Sequence, residues 1–552
     1  MEVIKSKFST IFVRKEWALY AFSIGLIVSL PVLVLVFFWF IPAVEWPHIV
    51  DHLLGEYVLN SLILIIGVSL LASSIGTTTA WLVTAFNFPG KIWLQWALVI
   101  PLSFPTYILG FIYVDLLSYT GPLQSGLRSI FGWSSLKDYY FPDIMSLPGV
   151  VLLFSIVLYP YVYLVVRPVF SNHSHQLHEV SRTFGYSPWV GFFRISLPLA
   201  RPAIVAGTSL ALMETLNDFG TVSYFGIPTF TTGIYRAWGF LDINSAARLS
   251  TLLMLFIIAL YVTESWQRKN QVFTSSQLKR NGEVRKLCGV KSWLAFTFCF
   301  IPVALGFIIP LSKIILWSVE HYSNVDLADL LLLMRNTFTV GLFVSLLIVL
   351  VALTLSVAKR FDSSSIVQWF IQFATIGYAI PGSVIAIGIL IPLGFIDTVI
   401  DKYFRANFNY STGLLLSGTL FAVSYGYIVR FIMIAYNSVS SRFGDIDKSL
   451  DEVASTLGNS TISTFVHVHL PLIKSSLLSA YILVFIDVVK ELPATLILRP
   501  FNFDTLATKT YEYAIEEMLS ESAIYCLAII FTTLLPTYFL SRISLKKDSR
   551  NY

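Results

Sequence analysis

The chain has 552 residues, 56% of them hydrophobic and 12% charged, with a formal net charge of +5. Soluble domains carry about 25% charged residues, so this composition excludes a water-soluble globule of this size. It also excludes a nucleic-acid-binding role, which needs a basic, aromatic-bearing soluble face.

The apolar residues fall in long runs rather than in stripes. About 20 such residues cross the hydrocarbon core as a helix, and lipid leaves the backbone no other partner. The alternating strands of a membrane barrel are absent. In chain order, about twelve spans are expected, at roughly 17–41, 57–86, 92–116, 147–170, 201–222, 246–266, 292–317, 336–358, 366–395, 411–435, 474–495 and 521–541. The first is not read as a cleaved signal peptide: its apolar stretch is too long, and no small-x-small site follows at Phe40-Ile41-Pro42. With the N-terminus inside, basic residues gather on the cytoplasmic side, at Lys5 to Lys15, Arg268 to Lys291 and Arg542 to Arg550. Both termini are therefore expected in the cytoplasm. Cys288, Cys299 and Cys526 lie in or beside spans without metal-ligand spacing and read as small apolar fillers.

The sequence repeats itself. Glu179-Val-Ser-Arg-Thr-Phe-Gly185 and Pro198-Leu199 recur as Glu452-Val-Ala-Ser-Thr-Leu-Gly458 and Pro471-Leu472, 273 residues on. The same offset pairs Glu214 with Asp487, Asp218 with Glu491, Thr232 with Thr505 and Arg236 with Lys509, whereas Asn60 matches Asn336 and Pro105 matches Pro381 at 276. Six spans per half put both halves into the membrane from the same side, a parallel repeat with a pathway expected between them.

The repeated motif lies in the longest cytoplasmic loops, about 171–200 and 437–473. A helical stretch ends at Gly185 or Gly458. An amphipathic stretch follows, with Trp189, Phe192, Phe193 and Ile195 in one copy and Ile462, Phe465, Val466 and Val468 in the other. Pro198 and Pro471 stand where the next span begins, a position that tolerates the missing N–H. The histidines His173, His175, His178, His467 and His469 read as polar decoration of these loops. The pattern, closing on Ile195-Ser-Leu-Pro198 and Val468-His-Leu-Pro471, resembles the EAA loop of ABC importer permeases, with the alanines after the glutamate replaced by Val180-Ser181 in the first copy and kept once, as Ala454, in the second. The resemblance implies that Glu179, Gly185 and Pro198, with Glu452, Gly458 and Pro471, couple the chain to an ATPase. No Gly-x-x-x-x-Gly-Lys-Ser/Thr sequence is present, so the ATPase is expected as a separate subunit, in two copies, one per loop.

Glu214 and Asp218 stand at i, i+4, as do Asp487 and Glu491, which places each pair on one helix face. Carboxylates at this depth face an interior or a watery cavity and can select cations. A scaffolding role stands equally open, because Lys490 can neutralise Asp487 and Glu491 and the acids lie near their helix ends. Glu214 and Asp218 lack such a neighbour and are the better pathway candidates. The stretches Glu214–Trp238 and Asp487–Glu517 resemble the fused two-half permeases of ferric-iron importers. That resemblance implies a periplasmic iron-binding protein as donor and Fe³⁺ as cargo. Related permeases for thiamine or other small organic ions keep that alternative open, and a secondary transporter is a further one.

The expected organisation is an all-α polytopic membrane protein of two parallel six-helix repeats. It comprises an N-terminal segment, first span and outer loop (1–56), a first permease domain (57–266), a cytoplasmic linker (267–291), a seventh span and outer loop (292–335), a second permease domain (336–541) and a cytoplasmic tail (542–552). The location expected is a bacterial inner membrane. No nucleophile–base pair or metal-ligand cluster is evident, so neither catalysis nor a cofactor is expected, and no metal ligand is assigned.

Overall fold

The computed structural model describes residues 2–534 and 536, apart from 136, 184–185, 270–284, 325, 363, 376 and 378–379. Among these residues ten helices are long and apolar enough to cross a membrane, from Trp17–Phe38 to Ile462–Lys490. An eleventh candidate is a pair, Lys91–Ser103 and Thr106–Phe131, bent by 94°. The last expected span begins as the apolar helix Ala523–Leu534, and residues beyond 536 lie outside the described ones. The fold is all-α and polytopic, as expected. Its two-residue strands, Phe86–Asn87 and Arg285–Lys286, pair in parallel and pin the end of the linker to the first half.

Two of the expected spans, 92–116 and 366–395, are not continuous. Each breaks at a proline that caps the following helix in an extended conformation: Pro105, with ψ 137°, before Thr106–Leu117, and Pro381, with ψ 145°, before Gly382–Phe408. Proline has no N–H and its ring clashes with the preceding turn, so a helix cannot run through unperturbed. The two breaks keep the 276 offset.

A second proline device recurs three times. Leu197, Leu470 and Ile309 each donate their N–H to the carbonyl five residues back, closing a π-turn immediately before Pro198, Pro471 and Pro310. The widened turn makes room for the proline ring without ending the helix.

The helices Leu54–Ala85, Leu147–Thr183 and Leu197–Asn217 pack on one another, as do Leu327–Phe361, Leu420–Gly444 and Leu470–Lys490. Glycine permits the closest approach in the first trio. A Cβ on Gly76 would lie 2.8 Å from the Tyr159 carbonyl oxygen, and one on Gly207 would lie 2.6 Å from Val162 Cα. Small residues serve this purpose where no hydrophobic force drives helices together in lipid.

The halves are interlocked. The core around the first trio also takes in Ala295, Cys299 and Val303 of the seventh span and Ala523, Cys526 and Ile529 of the last. The core around the second trio takes in Ala21, Val28 and Leu35 of the first span and Leu249, Leu253 and Ile257 of the sixth. Polar contacts fasten the exchange. Tyr113 donates its hydroxyl to the Leu305 carbonyl at 2.7 Å, Lys313 pairs with Asp115 at 2.9 Å, and Tyr425 donates to the Ile27 carbonyl.

Candidate functional site

In the second copy of the repeated motif, the chain leaves the Leu420–Gly444 helix and forms the short helix Ser449–Thr456. Gly458 follows at φ +78°. Its N–H bonds the Ser455 carbonyl, and the Asn459 N–H bonds that of Ala454, which makes a Schellman end with glycine at the left-handed position. Ala454 is buried beneath the helix, while Glu452, Val453 and Leu457 are exposed. The chain continues through Thr461–Thr464 and the π-turn Phe465–His469 to Pro471, in the first turn of Leu470–Lys490.

The first copy differs. Glu179 lies within the unbroken helix Leu147–Thr183, and Gly185 lies outside the described residues. The chain is next described through Pro188–Gly191 and the π-turn Phe192–Ser196 to Pro198. The two amphipathic stretches match residue for residue at 273. Trp189 and Phe193 are exposed, as are Ile462 and Val466, while Phe192 and Phe465 turn inward. Each half thus presents an apolar face beside its π-turn.

The two segments are fastened by different chemistry. In the first half Trp81 meets Phe86 edge-on and Trp189 and Phe192 at tilted angles, at centroid distances of 5.0, 5.2 and 4.5 Å. In the second half Asp451 takes Arg360 on one carboxylate oxygen, at 2.8 Å, and His469 Nε2 on the other, at 2.6 Å. Arg360 also donates to the Phe443 and Ile446 carbonyls, at 2.8 and 3.0 Å. The expectation that the histidines are loop decoration therefore fails for His469. It is 0% exposed and ringed by Phe361, Phe443 and Phe465. His467 is exposed, and the side chains of His173, His175 and His178 lie outside the described residues.

Glu214, Asp218, Asp487 and Glu491 all line one cavity of about 110 Å³, together with Arg430 and Lys490. The second acid of each pair is not on the helix face but one residue past its end. Asp218 and Glu491 cap Leu197–Asn217 and Leu470–Lys490 in extended conformations, with ψ 132° and 118°. Each then receives N–H groups from the short helix that follows. Thr221 and Val222 donate to Asp218 Oδ1 at 2.8 and 3.3 Å, and Ala494 donates to Glu491 Oε1 at 3.0 Å. Carboxylates suit the start of a helix because its N–H groups are free and its dipole is positive there.

The pairs differ in their neighbours. Glu491 forms an ion pair with Arg430 at 2.7 Å, with side chains 3% and 7% exposed. A Cβ on Gly382 would sit 2.2 Å from Arg430 Nη1 and 2.5 Å from Glu491 Oε1, so a side chain there would displace the ion pair. Asp218 takes hydroxyls instead, from Thr106 at 2.5 Å and Thr221 at 3.0 Å. Lys490 stands 3.5 Å from Asp487, as the sequence suggested, but it is Arg430 that neutralises Glu491. The signal for Arg430 was present as a lone arginine inside an apolar span. Among the described residues no three His, Cys, Asp or Glu side chains converge closely enough to hold an ion.

The outer loops repeat at another register than expected. Thr229 and Thr232 form a capping box on Phe230–Gly239, and Thr505 and Thr508 form the same box on Leu506–Ile515. Asn60 donates to the Pro228 carbonyl and Asn336 to that of Asp504, at 2.8 and 3.1 Å. Both relations give an offset of 276, so Thr232 corresponds to Thr508 and Arg236 to Glu512. Three extra residues after Leu498 shift the second half. Arg499 lies in this stretch and pairs with Asp504 and Glu512.

Two parallel sets of spans, with a polar cavity lined by both, define a multi-pass membrane transport subunit. The sequence profile of the family described as binding-protein-dependent transport system inner membrane component matches residues 72–268. The molybdenum transport system permease protein ModB of Escherichia coli is 30% identical over 198 residues, 34% of this chain and 82% of that protein. The Fe(3+)-transport system permease protein FbpB 2 of Haemophilus influenzae is 26% identical over 499 residues, 89% of this chain and 91% of that protein. The sulfate transport system permease protein CysW of Escherichia coli is 28% identical over 236 residues, 40% and 78% of the two chains. The chain belongs to the family of binding-protein-dependent transport inner-membrane components, as a permease of the ABC importer class. ModB matches as a unit the size of one half, whereas FbpB 2 matches nearly end to end.

Proposed function

We propose that this chain is the translocating subunit of an ATP-driven importer for ferric iron, with both termini in the cytoplasm. The observation that carries the reading is the cavity between the halves, where four carboxylates face two cations and leave the lining acidic. Hard, highly charged cations favour oxygen ligands. The end-to-end similarity to a permease named for Fe(3+) transport supports the same cargo.

In this reading a periplasmic binding protein delivers iron to the outer loops. A separate ATPase, in two copies, grips the segments around Glu179 and Glu452. Closure of the ATPase draws the segments together and opens the cavity outward, and hydrolysis returns it inward. Glu214 and Asp218 guide the cation, and Arg430 holds Glu491 in place as part of the wall. The exposed apolar residues Trp189, Phe193, Ile462 and Val466 support a cytoplasmic dock on each half.

The test is uptake into vesicles holding this chain with its ATPase and binding protein. Ferric iron accumulates only with ATP inside the ATPase compartment, and thiamine does not compete. Accumulation of thiamine in place of iron would move the reading to an organic-ion importer. Uptake driven by a proton or sodium gradient without ATP would make the chain a secondary transporter.

A further inference from the structure

We infer that Asp451, clamped between Arg360 and His469, is a positioning residue that makes the second coupling segment move as one body with the membrane helices. The inference rests on the proposed function for its transport consequence, and on geometry alone for the clamp.

Three separate elements meet at this carboxylate. Arg360 ends the helix Leu327–Phe361, Asp451 lies in the short helix Ser449–Thr456, and His469 closes the π-turn that enters the span Leu470–Lys490. Both carboxylate oxygens are used, at 2.8 and 2.6 Å. Arg360 also holds the carbonyls of Phe443 and Ile446, so it grips the end of Leu420–Gly444 as well. The Arg360 side chain is 6% exposed, that of His469 0% and that of Asp451 25%, so the contact is screened only from the carboxylate's side. A charge-assisted network of this kind fixes orientation as well as distance.

The first half has nothing equivalent among its described residues. At the matching positions stand Thr84 and Ser196, and the Thr84 hydroxyl bonds the Ala80 carbonyl in its own helix. There Trp189 and Phe192 meet the Trp81 ring at tilted angles, an apolar contact without a charged tie. The second segment is therefore tied to the membrane helices by a charged side chain.

The test compares Asp451→Asn and Asp451→Glu with the wild type in two measurements on the full chain. The first is hydrogen exchange of the protein alone in nanodiscs. Asp451→Asn speeds exchange of the Ser449–Thr456 amides about tenfold and leaves those of Phe192–Ser196 unchanged, since loss of a local tie opens a local unit. Asp451→Glu restores most of the protection. Unchanged exchange in Asp451→Asn overturns the clamp. The second is cargo moved per ATP hydrolysed in the reconstituted complex. Asp451→Asn lowers that ratio about fivefold, in step with the local opening. Uptake and hydrolysis falling in equal proportion overturn the positioning role. A wild-type complex that hydrolyses ATP without uptake would refute the importer reading, and the exchange comparison still decides the clamp.

Discussion

Asn217 and Lys490 stand at equivalent positions of the two halves, and each reaches across to the broken span of the other. Asn217 Oδ1 accepts the Gly382 N–H at 2.8 Å, and Lys490 Nζ lies 3.5 Å from the Leu102 carbonyl. The proline breaks thus serve a purpose: each frees backbone groups that the opposite half captures at the cavity rim. Asn217→Ala leaves the Gly382 N–H without this acceptor. A buried orphan donor costs about 1–3 kcal/mol, so the thermal midpoint of the purified protein drops, and Asn217→Asp, which keeps the acceptor, drops it less.

Arg430 and Glu491 form the buried ion pair of the same rim. Removing one partner strands a charge, at a cost of about 3–5 kcal/mol, whereas removing both for apolar residues of like volume is near neutral. Arg430→Met is therefore strongly destabilised, and adding Glu491→Leu recovers much of the loss. A thermal melt of the two variants and their wild type reads the difference.

Gly458 stands at φ +78° with open space around it. A side chain there meets no neighbour but must hold a left-handed backbone, at about 1–2 kcal/mol. Gly458→Ala loosens Ser449–Thr456 in hydrogen exchange without disturbing the spans, and Gly458→Asn, whose side chain tolerates that region, does so less.

Much of this was legible in the sequence. The glycine–proline spacing marked both repeated segments, and in the second the Schellman end at Gly458 is what that glycine announced. Arg430 was legible as a charge in an apolar run, but Glu491 is 61 residues away and nothing local links them. His469 was missed because a histidine beside a loop motif carries no sign of burial. The register after Leu498 differs from the expected one because Thr232 and Thr505 match by chance at 273, while the spacing of Thr229 to Thr232 and Thr505 to Thr508 carries the true alignment. The exchange of first and last spans could not be read, because an apolar run shows that it is buried but not against which helix.

Asp447 precedes the helix Ser449–Thr456 and accepts the Ser449 N–H at 2.9 Å. That bond, the Ser449 hydroxyl and the nearby Arg360 charge hold its carboxyl below its ordinary value of 3.8. A depressed value in the folded state stabilises the helix start fully above the unfolded value, and the contribution disappears as pH falls through the folded one. Protection of Ser449–Thr456, corrected for intrinsic exchange, is flat from neutral pH to about pH 4 and declines below it. Asp447→Asn weakens that decline. A decline already present near pH 6 contradicts the assignment.

Glu214→Gln and Asp218→Asn keep the shape of the cavity while removing negative charge from its lining. Iron uptake slows in both, and assembly with the ATPase is unchanged in a pull-down. Asp218→Ala also removes a cap worth about 1 kcal/mol, so it lowers the melting point where Asp218→Asn does not. Normal uptake in the amide variants would make these acids scaffolding.

In the proposed mechanism an ATPase draws together two equivalent segments on the same side of the membrane. Spin labels at Trp189 and Ile462, which match at 273 and are both exposed, report it most directly. In the assembled complex the distance between them shortens when ATP binds and recovers after hydrolysis, and both labels are reached by the same water-soluble quencher from one side of a sealed vesicle. Labels quenched from opposite sides, or a distance indifferent to nucleotide in a complex that still carries cargo, would contradict the account.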